Sequence, residues 1–322
     1  MNLNGDLNYE KKALKALLGS DDIIFFDFET GGNQALCVYV DSITDKETLG
    51  LEVIAPLSKN EDDKPVSSLA KKINLANVKT ETELSKIVDN VLSGHAVILV
   101  DGKKKAICVD LKKFEVRAIS EPPTGLAVRG PRNGFTESIK SNLSLIRRYL
   151  RSSDLKVEMF EKGKYTKTAI AFMYIDGIAP RQLIEKVRKK IEAINVDGIP
   201  DSSYVSKLLN ERKTSLFKQV GSTERPDVLI ERMLEGRVGV IVDGSPFSLS
   251  LPYLLIEDFQ AAEDYYISPY RANLVRMLRV ISVLFSILLP AIFVAAQLFH
   301  LQIIPLNFLL TIVNGVKAIP FS

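Results

Sequence analysis

One uncharged stretch constrains this chain more than any other feature: Val280 to Phe299, VISVLFSILLPAIFVAAQLF. At about 1.5 Å rise per residue, roughly 20 residues cover the ~30 Å hydrocarbon core of a bilayer. A helix of this length in a globular core shows a polar face, whereas here only Ser282, Ser286 and Gln297 are polar. The stretch reads as a transmembrane helix, about 275–299 with its approach, carried by a chain whose remainder is globular in pattern.

Arg271, Arg276 and Arg279 precede the span, and only His300 and Gln302 follow it closely. Basic residues near a span stay on the cytoplasmic side, so the N-terminal region is expected there. The opening MNLNGDLNYEKK has no apolar run and does not read as a cleavable signal. Cys37 and Cys108 each sit in an apolar, strand-like run, the pattern of core thiols in a reducing compartment. The net charge of +3 is small, and Lys and Arg are dispersed among Asp and Glu, which argues against nucleic acid as a partner. The length ahead of the span exceeds one typical domain and suggests two.

Those two domains read as copies of one unit. YEKKALKALLGSDDIIFFDF and SLIRRYLRSSDLKVEMF are each an apolar-periodic helix, a Ser/Asp break and a strand, with Leu18, Ser20, Asp22 and Phe28 against Leu150, Ser152, Asp154 and Phe160. A small turn then leads to a second strand, in which Tyr39, Asp41 and Ile43 match Tyr174, Asp176 and Ile178. Thr44 with Glu47, and Thr80 with Glu83, have capping-box spacing before helices of copy one. Pro180 and Pro226 open the helices of copy two, and Gly94 and Gly236 end the last helix of each copy. HAVILVDGKKKAICVDL and RVGVIVDGSPFSLSLPY close the copies, each a strand, an Asp-Gly turn and an alternating strand. The expected fold is α/β (α+β): two lobes from an internal duplication, each with helices on a mainly antiparallel sheet, followed by a transmembrane α-helix.

Pro122, Pro123, Gly125, Gly130, Pro131 and Gly134 forbid regular structure between the copies. Then Phe135, Ile139, Leu143, Ile146 and Leu150 fall at helical spacing, with Arg147, Arg148 and Arg151 read first as that helix's solvated face. The chain thus divides into a first lobe at 1–120, a linker at 121–134, a second lobe at 135–267 and a membrane end at 268–322. Within the linker, Glu121, Pro122, Arg129, Gly130, Pro131 and Arg132 form a candidate interlobe coupling segment. Arg129 and Arg132 are positioned to clamp carboxylates, or to be solvated loop residues. Tyr265, Tyr266 and Tyr270 suit the headgroup level, as do Arg271, Arg276 and Arg279, so membrane lipid is an expected partner. Pro290 is a candidate kink in the span. The tail, IIPLNFLLTIVNGVKAIPFS, is apolar but interrupted, so the membrane domain reads as truncated, with a partial second segment.

No dinucleotide fingerprint, P-loop, zincin or CxxC motif occurs, and no serine has a nucleophile-elbow context. His95 opens a strand and reads as structural. The acid pairs Asp21-Asp22, Asp62-Asp63 and Glu263-Asp264 sit in turns or polar runs with no partner evident in sequence. KNEDDKP reads as an exposed loop, and the NLS at Asn142 is disregarded as a glycosylation site on a cytoplasmic region. No enzymatic activity, cofactor or metal is expected.

The stretch EPPTGLAVRGPRNGFTESIKSNLSLIRRYLR resembles a signature of the GerA family, the A-type subunits of endospore germination receptors. The resemblance continues through IERMLEGRVGVIVDGSPFSLSLPYLLIEDFQAAEDYY and LVRMLRVISVLFSILLPAIFVAAQLFHLQIIPLNFLL. It implies a subunit in the spore inner membrane that couples sensing of small nutrients to ion release. Implied partners are a B-type membrane subunit, a C-type lipoprotein and further copies in a homo-oligomer. A SpoVAF-like paralogue, aiding release of small molecules from the spore core, shares these motifs. A membrane-tethered scaffold without a transport role is the alternative from another class. Family members continue with several more membrane helices beyond the position of Ser322.

Overall fold

The computed structural model describes residues 2–60, 62, 64–113, 131–212, 214–215, 217–261, 264, 266–299, 310–311 and 314. Residues Met1–Leu254 form one compact unit and Leu255–Ser322 a second, where the sequence pattern put that boundary at 267.

In the first lobe the order is α1 (Leu7–Leu18), β1 (Ile23–Thr30), β2 (Asn33–Val40), α2 (Lys46–Thr48), a π-helical turn (Leu49–Ile54), α3 (Ala55–Ser58), α4 (Val66–Ala70), β3 (Val78–Glu81), α5 (Leu84–Leu92), β4 (His95–Val100) and β5 (Ala106–Asp110). The second lobe follows with α6 (Ile139–Tyr149), β6 (Leu155–Lys162), β7 (Thr168–Ile175), α7 (Arg181–Glu192), α8 (Ser202–Leu209), β8 (Gly221–Thr223), α9 (Pro226–Leu234), β9 (Val238–Val242) and β10 (Ser248–Leu251). The two sheets are antiparallel throughout, with orders β1-β2-β4-β5-β3 and β6-β7-β9-β10-β8. The second order is the first with each strand replaced by its counterpart, so the repeat legible in the sequence is a repeat of topology.

Each sheet is covered on both faces, which is why the runs 35–38, 96–100 and 169–173 in the central strands are apolar at successive positions rather than at alternate ones. In the first lobe, Leu36, Val38, Val97 and Leu99 meet α1 and α5, while Ala35, Cys37, Ile98 and Ile107 meet the helical turns from Leu49 to Leu69. In the second, Ala171, Met173 and Ile241 meet α6 and α9, while Ile170, Phe172 and Val240 meet α7 and α8. Cys37 and Cys108 are free and buried on opposite faces of one sheet, and burial pushes both thiols up to about 12. The helices bury their spaced apolar positions, such as Ile184, Val187 and Ile191 of α7.

The Asp-Gly turns do more than reverse the chain. Asp101 Oδ1 accepts from the Leu7 N–H (3.1 Å) at the start of α1, and Asp243 Oδ1 accepts from the Ile139 N–H (3.0 Å) at the start of α6. The Gly102 N–H donates to the Gly5 carbonyl (2.9 Å) and the Gly244 N–H to that of Glu137 (2.8 Å). Gly102 and Gly244 have φ of 75° and 80°, the left-handed region that disfavours a side chain. Each turn thereby ties the end of its lobe to the beginning, satisfying a helix N–H that has no partner within the helix. Asp243→Ala should cost about 1 kcal/mol, as loss of a side-chain cap does, measurable by thermal unfolding of residues 1–254. Asp243→Asn keeps the acceptor and should cost less.

Three local expectations are corrected. Neither capping box closes: Asp45, not Thr44, stands at the start of α2, while Thr80 lies in β3 and Glu83 caps α5 by position without a side-chain bond to its N–H groups. Strand pairing claimed Thr80 before the helix could use it. The helix expected from Phe135 begins at Ile139 behind Ser138, whose hydroxyl accepts from the Ser141 N–H. Phe135 lies ahead of the helix, yet it packs into the same core cluster. KNEDDKP is also not wholly exposed: Asn60 is buried and its carbonyl holds the Gly31 N–H at 2.8 Å.

The second unit comprises a 3₁₀ turn (Leu255–Phe259) and α10 (Pro269–Phe299). Residues Pro269–Ala296 are long and apolar enough to cross a membrane, and none of their apolar window is buried. The helix runs through Pro290. The Ser282 hydroxyl donates to the Leu278 carbonyl (2.7 Å), satisfying one of its few polar groups within the helix.

Candidate interlobe and juxtamembrane coupling sites

The break between α1 and β1, Gly19 to Asp22, docks on the second lobe. β6 is an edge strand, and an edge carries backbone groups that pairing within the sheet leaves over. The turn takes up three of them. The Asp21 N–H donates to the Val157 carbonyl (2.9 Å), the Val157 N–H to Ser20 Oγ (2.8 Å) and the Met159 N–H to Asp21 Oδ2 (2.8 Å). Lys156 Nζ reaches the Leu17 carbonyl at the end of α1 (3.1 Å).

At the centre is a buried ion pair. Arg147 Nε and Nη2 donate to Asp22 Oδ2 and Oδ1 at 2.7 and 2.8 Å, with side chains only 1% and 2% exposed. The remaining guanidinium reach is used as well: Nη2 meets Ser20 Oγ (3.0 Å) and Nη1 meets the Ser152 carbonyl (3.2 Å). The Ser20 hydroxyl in turn donates to Asp22 Oδ1 (2.6 Å). A bidentate fork with its other donors occupied is the arrangement in which a buried arginine is tolerated.

This corrects two readings. Arg147 is not on a solvated face, and Asp21-Asp22 does not lack a partner. The signal was present in the spacing: Arg147 stands four residues after Leu143 and next to Ile146, inside the buried stripe of α6. What the stripe does not reveal is the carboxylate 125 residues away that neutralises it.

A second cluster lies in the other unit. Asp264, 4% exposed, accepts from Arg279 Nη1 (2.8 Å) and Nη2 (3.1 Å), Arg276 Nε (3.2 Å) and the Ala261 N–H (3.1 Å). Arg279 Nη1 also reaches the Phe259 carbonyl (3.1 Å). Arg276 and Arg279 share one face of α10 at i, i+3. Burial alone would raise the Asp264 carboxyl; the hydrogen bonds from Arg279, the Ala261 N–H and Arg276 together outweigh it and hold the group below the usual carboxylate range. Asp264, read in sequence as unpartnered, thus sits between both arginines.

The other expected residues are scattered. Glu121, Pro122, Arg129, Gly130 and Tyr265 lie outside the described residues. Pro131 offers its carbonyl to Arg225 (3.3 Å), which itself forms a buried pair with Asp227, and Arg132 is exposed. Tyr266, Tyr270 and Arg271 are exposed, Tyr270 to 84%. His95 is structural in position, its Nδ1 3.2 Å from the Asn90 carbonyl. Asn142 is fully buried and paired with Thr136, which closes it to modification in the folded chain. A cavity of about 380 Å³ lies within the second lobe, lined by Lys186, Lys190, Arg212, Gln219 and Tyr253 among others. Among the described residues no group of three metal-ligating side chains occurs.

Two α+β lobes of one topology, locked by a buried ion pair and followed by an apolar helix, define the class of this protein as a tandem-lobed region carried on a candidate membrane segment. The chain belongs to the GerA family: the family model for Bacillus/Clostridium GerA spore germination protein matches residues 10–322. Spore germination protein KA of Bacillus subtilis is 36% identical, over 95% of this chain and 58% of the relative. Spore germination protein B1 of the same organism is 32% identical over all of this chain and 68% of its own. Stage V sporulation protein AF is 35% identical over 74% of this chain and 48% of its own. The crystal structure of the N-terminal domain of the A subunit of the Bacillus megaterium spore germinant receptor GerK3 superposes with a TM-score of 0.62 at 29% identity. It covers 79% of this chain and 98% of that one. The chain therefore spans 58% of the length of protein KA, less than two thirds.

Proposed function

We propose that the chain is an A-type subunit of a nutrient germinant receptor in the spore inner membrane, coupling nutrient sensing to ion release. Its role in spore germination follows from the family. The observation that carries the coupling is the Asp22–Arg147 lock, which makes the two lobes a single body able to transmit force rather than two beads on a linker. Its N-terminal region faces the cytoplasm, the spore core, and its span meets lipid. Its partners are a B-type membrane subunit, a C-type lipoprotein and further copies of itself in a homo-oligomer. The residues Glu121 to Arg132 serve as the interlobe linker, and the aromatic and basic residues from Tyr265 to Arg279 as headgroup contacts. It acts by binding and conformational change, without catalysis.

The SpoVAF-like reading keeps one observation in its favour: the identity to stage V sporulation protein AF, 35%, equals that to protein KA within one per cent. The experiment compares nutrient-triggered ion release from spores that carry the gene with release from spores in which it is deleted, partner genes present in both. Nutrient-triggered release only from the strain that carries the gene is expected. Release that does not depend on nutrient in either strain sinks the receptor reading and favours the paralogue.

A further inference from the structure

The contact between the lobes has a direction. The first lobe contributes a turn, Ser20 to Asp22, and the second contributes a strand edge, at Val157 and Met159, with an arginine behind it. Because the lobes repeat, each carries a counterpart of the part it does not use. The second lobe has its own turn, Ser152 to Asp154, in which the serine hydroxyl again donates to the aspartate (3.1 Å) and the Asp176 N–H binds the Asp154 carbonyl (2.8 Å) as the Asp41 N–H binds that of Asp22 (2.8 Å). That turn reaches the surface: Asp154 is exposed. The first lobe has its own edge strand, β1. There Phe25 and Asp27 occupy the register of Val157 and Met159, facing away from β2 by the alternation of an antiparallel pair. Behind them the counterpart of Arg147 on α1 is Lys15, exposed and 5.5 Å over the Phe25 ring.

We propose that the turn Ser152–Asp154 of one copy docks on the β1 edge of the next, with Asp154 meeting Lys15, so that copies join head to tail by the contact already formed inside each chain. The inference rests on the homo-oligomeric reading above for its partner and is independent of nutrient sensing. A heterologous contact of this kind closes into a ring when its rotation permits and cannot be satisfied within a two-fold dimer. Lysine in place of arginine suits a contact between copies, since a hydrated point charge is released more readily than a buried bidentate fork.

The test uses two tagged copies of the chain in native membranes, one bearing Ser153→Cys and the other Asp27→Cys, oxidised and run without reductant. The native thiols are buried and silent. Asp21→Cys with Met159→Cys in one chain is the internal control, since that pair is already in contact. A disulfide between the two tags is expected. Lys15→Glu should lower its yield about tenfold through like-charge repulsion, and Asp154→Lys on the facing copy should restore it. An oligomer by native gel with a closed internal control but no linked tags overturns this surface and leaves the homo-oligomer standing. No oligomer and no link overturns both.

Discussion

Asp22→Ala should destabilise the unit formed by residues 1–254 by about 3–5 kcal/mol, because it strands a guanidinium that is 1% exposed without its carboxylate. In a unit of this size that corresponds to a fall in melting temperature on the order of 10 °C. Arg147→Ala removes the cation instead and leaves Asp22, Ser20 and the Ser152 carbonyl with unmet bonds, so a loss of similar size is expected. The informative variant is the double replacement Asp22→Leu with Arg147→Met. Removing both charges of a buried pair is often neutral for stability. We therefore expect the double variant to recover most of the melting temperature, a coupling of several kcal/mol in a double-mutant cycle. If the single variants melted within 1 °C of the parent, the lock would be refuted as a stabilising contact. The double variant also isolates function: a folded protein lacking the lock should germinate poorly if the lobes transmit force as one body.

Asp264→Ala carries the second large effect. Two arginines at the head of an apolar helix would lose their shared carboxylate, together with the acceptor for the Ala261 N–H. Arg276 and Arg279 are 28% and 35% exposed and can rehydrate, so the local cost is about 2 kcal/mol rather than the full price of an isolated buried charge. Asp264→Asn keeps the shape and loses the charge; an intermediate loss is expected. The readout is nutrient-triggered ion release from spores, set against the amount of protein in the membrane. Normal release at normal abundance would remove this cluster from the proposed coupling path. The pH dependence has a definite sign. The folded Asp264 carboxyl lies below its unfolded value, so the stabilisation is complete above an ordinary aspartate value of about 4. It is lost only as pH falls through the lower folded value. Mild acidification to pH 5 should leave the cluster intact.

What the sequence showed was whatever repeats or has a period. The two sheets appear as runs such as AVILV and IAFM, apolar at every position because both faces are covered. The duplication shows in Ser20 and Asp22 against Ser152 and Asp154, and in two Asp-Gly turns whose aspartates were legible as turn residues but not as helix caps. The apolar helix is legible because twenty uncharged residues have few other places to be.

The buried charge clusters were not legible in the same way. Ser20-Asp21-Asp22 and Ser152-Ser153-Asp154 look alike, yet Asp22 of the one is buried against the second lobe and Asp154 of the other is exposed. Arg147 sits in an apolar stripe, which marks it as unusual without naming its partner. A local pattern can state which face of an element is apolar, because that depends on neighbours three or four residues away. It cannot state which charge meets which across 125 residues, because that depends on how two finished lobes are placed. Local pattern accounts for the elements, their order and the membrane-length helix; that Asp22 neutralises Arg147 and that Asp264 sits between Arg276 and Arg279 follows from packing in the folded chain, which chooses partners irrespective of their distance along it.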